Sequence, residues 1–332
     1  MVDEVSGRTI IVAELSKLVV GYRMPPHLVE RIRAAHPTID IVVCTEHAQL
    51  IAALPGAQVM VGGRLFGPDV LAHAPDLRWV HASGTGVDAM LFPEFVESDI
   101  VLTNLSGVDV YNIPEHVIGM MLVFARDFLR LVRGQVGHRW MHGELRVFEL
   151  AGQTLGIVGL GAIGQGLARK ANALGMRVVG IRRRDCGDLP CGVDAVYPTD
   201  QLDRLLAESD HVAICLPLTP STRRLFGAAE FAAMKPSSYI YNIGRGEVVD
   251  QDALIAALRS GTIAGAGLDV VTPEPLPDES PLWDMPNVFI TGHNAVYTPF
   301  YGERGIEVLL HNIDCYLRDE PLSNIVDKRE GY

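Results

Sequence analysis

Positive charge is scarce in this chain: 28 lysines and arginines stand against 40 aspartates and glutamates, a formal net charge of −12 over 332 residues. That balance disfavours general nucleic-acid binding, which needs a basic face for the phosphates. Cysteine is scarcer still. Cys44, Cys186, Cys191, Cys215 and Cys315 form an odd, scattered set, which excludes a disulfide framework. Cys186 and Cys191 lie close together in a Gly/Pro-rich stretch, but no second pair completes a zinc site, so no metal is expected. No apolar run reaches the roughly 18–20 residues that a bilayer span needs. The N-terminal "MVDEVSGRTI" carries acids where a signal peptide carries positive charge, so a cytoplasmic protein with no membrane partner is expected. What the chain has is apolar surface: 48% hydrophobic and 20% charged residues, over a length that suits about two domains.

Short apolar runs alternate with amphipathic stretches, the pattern of parallel sheets flanked by helices. "TIIVAEL", "IDIVVC", "AQVMVGG" and "LRWVHASG" read as strands, with "PPHLVERIRAA" and "FGPDVLAHAP" as proline-led helices between them. Residues 112–135, "NIPEHVIGMMLVFARDFLRLVRGQ", read as one long helix capped by Asn112, with Pro114 in its first turn and an apolar, buried centre. Further strands are expected in "HVAICLPL", "SSYIYNIG", "IAGAGLDVV" and "NVFITGH". "DQDALIAALRSG" reads as a helix with an acidic start and a glycine stop, and a last helix runs from "YGERG" toward Pro321.

"TLGIVGLGAIGQGLARKANALGMRVVGIRRRD" holds Gly159, Gly161 and Gly164 in the spacing G-x-G-x-x-G, after an apolar strand and at the start of a helix. In that β-α-β context the first glycine permits a tight turn and the second lets backbone approach a pyrophosphate. The third lets helix and strand pack closely. The N–H groups at the helix start, around Ala162 and Ile163, then face the phosphates. A dinucleotide fold usually carries an acid after the second strand, where it accepts hydrogen bonds from the ribose hydroxyls. That position is Arg182, followed by Arg183 and Arg184. Asp185 comes too late to substitute. An arginine fork cannot accept hydrogen bonds but clamps a 2′-phosphate, so NADP(H) is expected over NAD(H).

Arg245 in "YNIGRGEVVD", Glu274 in "LDVVTPEPLP" and His293 in "FITGHNA" each follow an expected strand, and strand carboxyl ends face the ligand crevice of such sheets. Taken alone, each reads as structural. Together with "ASGTGVDAM", "NIPEHVIGMML", "GLGAIG", "LPLTPSTRRLF" and "GAGLDVVTPEPLPDESPLWDMPNVFITGHNA", the ordered set resembles the D-isomer-specific 2-hydroxyacid dehydrogenase family over nearly the whole chain, in its glyoxylate/hydroxypyruvate reductase-like form. The resemblance implies two doubly wound parallel-sheet α/β domains. A Rossmann nucleotide domain, residues 108–298, would be inserted into a flavodoxin-like substrate domain formed by 1–107 and 299–332.

By the same resemblance Arg245 would bind substrate carboxylate and keto oxygen. His293 would be the acid/base and Glu274 its orienting partner. The backbone of Thr85 and Gly86 would hold the substrate carboxylate. Asp269 would meet the nicotinamide carboxamide, against an equally good reading as a strand-end turn former. Pro217 and Thr222 would line the cofactor. The chemistry is consistent: histidine is the side chain that exchanges protons near neutrality, and a neighbouring carboxylate favours its charged form. A homodimer is implied, with the helix after 112 and Trp140 as candidate contacts. The chain departs from the family's usual pattern at Gly292, ordinarily proline, at Pro114, ordinarily small, and at Arg182, ordinarily acidic. The expected activity is NADPH-dependent reduction of a small 2-keto acid. A dinucleotide-sensing corepressor-like protein and a formate- or phosphite-type dehydrogenase remain alternatives.

Overall fold

The computed structural model describes residues 15–183 and 187–332. The chain divides into two compact units, residues 1–108 with 299–332, and residues 109–298. Residues 9–14 of the expected strand "TIIVAEL" lie outside the described residues, as do Arg184 and Asp185.

In chain order the first unit contains β1 (Lys17–Val20), α1 (Pro26–Ala35), β2 (Asp40–Val43), α2 (His47–Ala53), β3 (Val59–Gly62), α3 (Pro68–Ala72), β4 (Trp79–Ala82), α4 (Pro93–Val96) and β5 (Val101–Thr103). The second unit contains α5 (Asn112–Ala125), α6 (Phe128–Val136), β6 (Thr154–Val158), α7 (Ala162–Ala173), β7 (Arg177–Ile181), β8 (Ala195–Tyr197) and α8 (Leu202–Glu208). It continues with β9 (His211–Ile214), α9 (Ala228–Ala233), β10 (Tyr239–Asn242), α10 (Gln251–Ser260), β11 (Gly265–Leu268) and β12 (Val288–Ile290). The chain then returns to the first unit as α11 (Tyr301–Leu317).

The first unit's sheet has the order β2-β1-β3-β4-β5, all parallel. This is the flavodoxin-like doubly wound order. Alternate side chains point to opposite faces. Leu18, Val20, Val59 and Val61 pack with α1 and α11, while Val19, Met60 and Val80 pack with residues of α2, α3 and α4. The second unit's sheet runs β12-β11-β10-β9-β6-β7-β8, again parallel, the Rossmann order with a seventh strand. Leu155, Ile157, Val178 and Ala213 face a core with α5 and α7. Val158, Val179, Val212 and Ile240 face one with α8, α9 and α10. The expected fold class is therefore the one the structure has. No described helix is long and apolar enough to cross a membrane.

The helix over 251–260 follows its sequence closely. The Asp250 carboxylate accepts from Ala253 N at 3.2 Å, and Gly261 closes the helix at φ +74°. Such a cap is worth about 1 kcal/mol.

The expected single helix over 112–135 is corrected: it breaks into α5 and α6 at Asp127, which takes φ +55°. No proline or glycine marks the break. Asp127 tolerates the left-handed conformation, and its carboxylate accepts from Arg130 Nη1 at 3.0 Å and from Arg146 N at 3.1 Å. The apolar side of α5, including Ile113, Val117, Met120, Met121 and Phe124, is buried in its own unit. A row of exposed apolar side chains follows it: Phe128, Val132 and Val136, four residues apart on α6, and Trp140, which is 90% exposed. Pro114 costs the helix little, since an N–H in the first turn has no intrahelical partner. Its ring lies against Gly166 of α7, where an added Cβ would stand 3.0 Å from the proline Cγ.

Candidate active site

The sheet order of the second unit reverses between β6 and β9, and a doubly wound sheet opens its ligand crevice at such a point. The glycine loop leaves β6 there. Gly159 has φ +108°, and a Cβ on it would lie 2.7 Å from the Cys215 carbonyl oxygen. A Cβ on Gly164 would lie 2.1 Å from the Gly159 oxygen, whereas one on Gly161 would enter open space. Two glycines thus close the packing and the middle one leaves room. No side chain caps α7 at Gly161, so the N–H groups of the first turn, Ala162 and Ile163 among them, remain for an anion. Pro217 and Thr222 lie on the loop after β9. The Thr222 hydroxyl donates to the Pro217 oxygen at 2.7 Å and accepts from Thr219 N at 2.8 Å, so it shapes that loop.

Arg182 is the first residue after β7. Its N–H donates to the Tyr197 oxygen of β8, and its Nε is buried with no hydrogen-bond partner among the described residues. A buried guanidinium N–H left in that state is costly unless an acceptor fills the place. Arg183 is exposed beside it. The glycine loop, the uncapped helix start and this arginine all fit a dinucleotide with an additional phosphate.

Arg245, Glu274 and His293 follow β10, β11 and β12, three neighbouring strands. Asn242, which the sequence reading missed, brackets the Arg245 turn: its amide donates to Arg245 O at 3.0 Å and accepts from Gly244 N at 3.1 Å. The guanidinium is half-buried and donates through Nη1 to Gly244 O at 2.9 Å. Glu274 is fixed at one oxygen by Val271 N at 3.1 Å, and its other oxygen accepts from His293 Nδ1 at 2.7 Å. The Nδ1 proton therefore points at the carboxylate, which leaves Nε2 for chemistry on a ring that is nearly half exposed.

His293 takes φ +61° directly after Gly292, also at +61°. The usual proline could not follow this path, because its ring fixes φ near −65°. A histidine in that conformation costs roughly 1 kcal/mol, which the surroundings must offset. Asp269 does much of this. Its carbonyl accepts from His293 N. Its carboxylate, only 3% exposed, accepts from Thr291 Oγ1 at 2.6 Å, Asn294 N at 2.8 Å and Ala295 N at 3.1 Å. The carboxylate thus serves chiefly to hold the loop on either side of the histidine.

Two more residues reach that loop from α5, and the sequence reading assigned neither to it. Asn112 does not cap the helix. Its Nδ2 donates to Ala295 O at 2.9 Å and Val296 O at 3.0 Å. His116 Nε2 lies 2.9 Å from Thr291 Oγ1 and 3.6 Å from Asp269 Oδ1. Burial lowers the His116 pKa from its ordinary value, against the pull of Asp269. The Thr291 proton goes to Asp269, so His116 is the donor to the hydroxyl.

Thr85 and Gly86 lie in the first unit, on the loop after β4. Thr85 donates through Oγ1 to Leu105 O at 3.2 Å and its carbonyl accepts from Asn104 Nδ2 at 2.9 Å. Gly86 is exposed at the loop's outer edge.

Residues 118–295 match the D-isomer specific 2-hydroxyacid dehydrogenase, NAD binding domain family. A glyoxylate/hydroxypyruvate reductase B of Salmonella heidelberg is 35% identical over 317 residues, 93% of each chain. A glycerate dehydrogenase of Methylorubrum extorquens is 31% identical, covering 84% of this chain and 88% of its own. Among solved structures, the NADPH-dependent glyoxylate/hydroxypyruvate reductase of Sinorhizobium meliloti, in complex with NADP and sulfate, superposes with a TM-score of 0.82. It is 32% identical, over 96% of this chain and all of that one. With the glycine loop and the strand-end residues laid out in a Rossmann sheet, this chain belongs to the D-isomer specific 2-hydroxyacid dehydrogenase family.

Proposed function

We propose that this protein transfers a hydride between NADP(H) and a small 2-keto or D-2-hydroxy acid of the glyoxylate or hydroxypyruvate type. The observation that carries the proposal is the 2.7 Å His293–Glu274 pair, set at neighbouring strand ends beside Arg245 in the sheet that also bears the glycine loop. Residues 108–298 serve as the dinucleotide-binding domain, and 1–107 with 299–332 as the substrate domain. Bound nicotinamide supplies the hydride. Arg245 holds the substrate carboxylate and keto oxygen and stabilises the negative charge that grows on that oxygen. His293 gives the matching proton from Nε2 while Glu274 keeps the ring aligned and balances its charge. The backbone N–H groups of Thr85 and Gly86 hold the carboxylate. The cofactor is held by Gly159, Gly161, Ala162, Ile163 and Gly164 at the pyrophosphate, and by the loop that Pro217 and Thr222 shape. Asp269 contributes at the nicotinamide end, and Arg182, with Arg183 and Arg184, at the 2′-phosphate.

Oxidation of NADPH and NADH across a panel of 2-keto acids tests this. Turnover is expected with glyoxylate or hydroxypyruvate, and NADPH is preferred at least several-fold. Arg182→Ala erodes that preference, and equal use of both cofactors would refute the arginine reading. Tight NADPH binding without turnover of any acid would point to a sensor, and oxidation of formate or phosphite to a different donor.

The reaction fits a cytoplasmic protein with free thiols, and Cys44, Cys191, Cys215 and Cys315 are all free. A homodimer is supported by the exposed row Phe128, Val132 and Val136, with Trp140 beyond it. Sedimentation is expected to give a dimer for the native chain and a monomer for Val132→Asp.

A further inference from the structure

We infer that Asn112 and His116 are positioning residues: together they clamp the 291–296 loop and set the direction in which His293 presents its imidazole. The inference rests on the proposed role of His293 as proton donor.

The loop carries two consecutive residues at positive φ, Gly292 and His293. Among the described residues the His293 side chain has one hydrogen bond, to Glu274, and is nearly half exposed. Beyond that one bond, its direction is set through the backbone. Asp269 pins that backbone from the end of β11, but its own carboxylate is aimed by Thr291, and Thr291 receives its hydrogen bond from His116. Asn112, one turn earlier on the same helix, holds the loop's far end through the carbonyls of Ala295 and Val296. The two donors meet the loop on both sides of His293, at 291 and at 295–296. Both stand on a helix whose apolar side is buried in the core of the unit, so the clamp has a fixed base. Among the described residues, the hydrogen bonds of His116 and Asn112 go to Thr291, Ala295 and Val296 and not to His293. They act through the loop.

Two measurements on the full chain test this. Hydrogen exchange reads the loop without reference to turnover. His116→Leu and Asn112→Ala are expected to speed exchange of the amides of 293–295 while β6 and α7 keep native protection. His116→Gln, whose amide reaches Thr291 Oγ1, is expected to restore it. In steady-state reduction with NADPH, His116→Leu lowers kcat about a hundredfold, the scale of a small misplacement of a reacting group. KM for acid and cofactor stays within about threefold, and His116→Gln recovers most of the loss. Unchanged loop exchange in both His116→Leu and Asn112→Ala would overturn the inference. So would equal losses of kcat in His116→Leu and His116→Gln. If His116→Leu does not fold, Asn112→Ala decides by the same two readouts. A wild-type chain that reduces no 2-keto acid would refute the proposed function, and the exchange result would still decide whether the clamp exists.

Discussion

Replacing His293 with asparagine is expected to lower kcat/KM for 2-keto acid reduction by about three orders of magnitude, within the range of a positioned general acid. The affinity for NADPH should change little, because the glycine loop and the end of β7 that are proposed to hold the dinucleotide are separate from the loop after β12. Reduction uses the charged imidazole as acid and oxidation uses the neutral ring as base. H293N is therefore expected to slow both directions.

The partner substitution refines this result. Glu274→Gln keeps an acceptor for the Nδ1 proton but removes the charge that balances the imidazolium. It is expected to cost about ten- to a hundredfold in kcat, less than losing the acid itself. Glu274→Ala frees the ring as well and leaves Val271 N without its 3.1 Å acceptor, so it should cost more. Stopped-flow single turnovers separate hydride transfer from product release. If H293N retained wild-type single-turnover rates, the proton would have to come from elsewhere, and the assignment would fail.

Much of the fold was legible because local patterns report local structure. The β6-α7-β7 unit announces itself through an apolar strand, a glycine turn and a helix in immediate succession. Asp250 and Gly261 mark both ends of α10. Arg245, Glu274 and His293 each stand just after an apolar run, where a parallel sheet opens to ligand, but taken alone each reads as structural, and it is the ordered set of motifs that marks them as a site. Other features have no such signature. The edge strand β8 is only three residues long, two half-buried and Tyr197 buried, too short for a period to show. Asp127 breaks a helix in the middle of an apolar stretch without a glycine or proline. Asn112 reads as an N-cap from its neighbours, yet its side chain is spent on carbonyls 183 and 184 residues away. His116 and Thr291 are 175 residues apart. Hydrogen bonds over such separations follow from topology, which periodicity does not encode. The motif "EHV" placed His116 on the helix, but only the strand order shows which loop it reaches.

Acid is expected to destabilise both units well before their carboxylates titrate. His81 in the first unit and His211 in the second are buried, and burial lowers each pKa from 6.5 to about 4. Their hydrogen bonds suit the neutral ring. Trp79 Nε1 donates to Thr103 Oγ1 at 2.8 Å, which leaves the threonine proton for His81 Nδ1, also at 2.8 Å. The Tyr241 hydroxyl lies 3.0 Å from His211 Nδ1, and Gln153 Oε1 lies 2.6 Å from its Nε2. Because the folded pKa lies below the unfolded one, the unfolded chain binds the extra proton. The contribution is intact above pH 6.5 and is lost as pH falls toward 4. Each unit should lose about 2 kcal/mol between pH 7 and pH 5, a large share of an ordinary domain's stability. Since the two units need not unfold together, each needs its own probe. Trp79, fully buried, reports on the first by fluorescence, and hydrogen exchange of β9 and β10 reports on the second. His81→Gln should flatten the pH dependence of the first unit alone, and His211→Gln that of the second alone. A slope that survives both substitutions would assign the acid sensitivity to other groups.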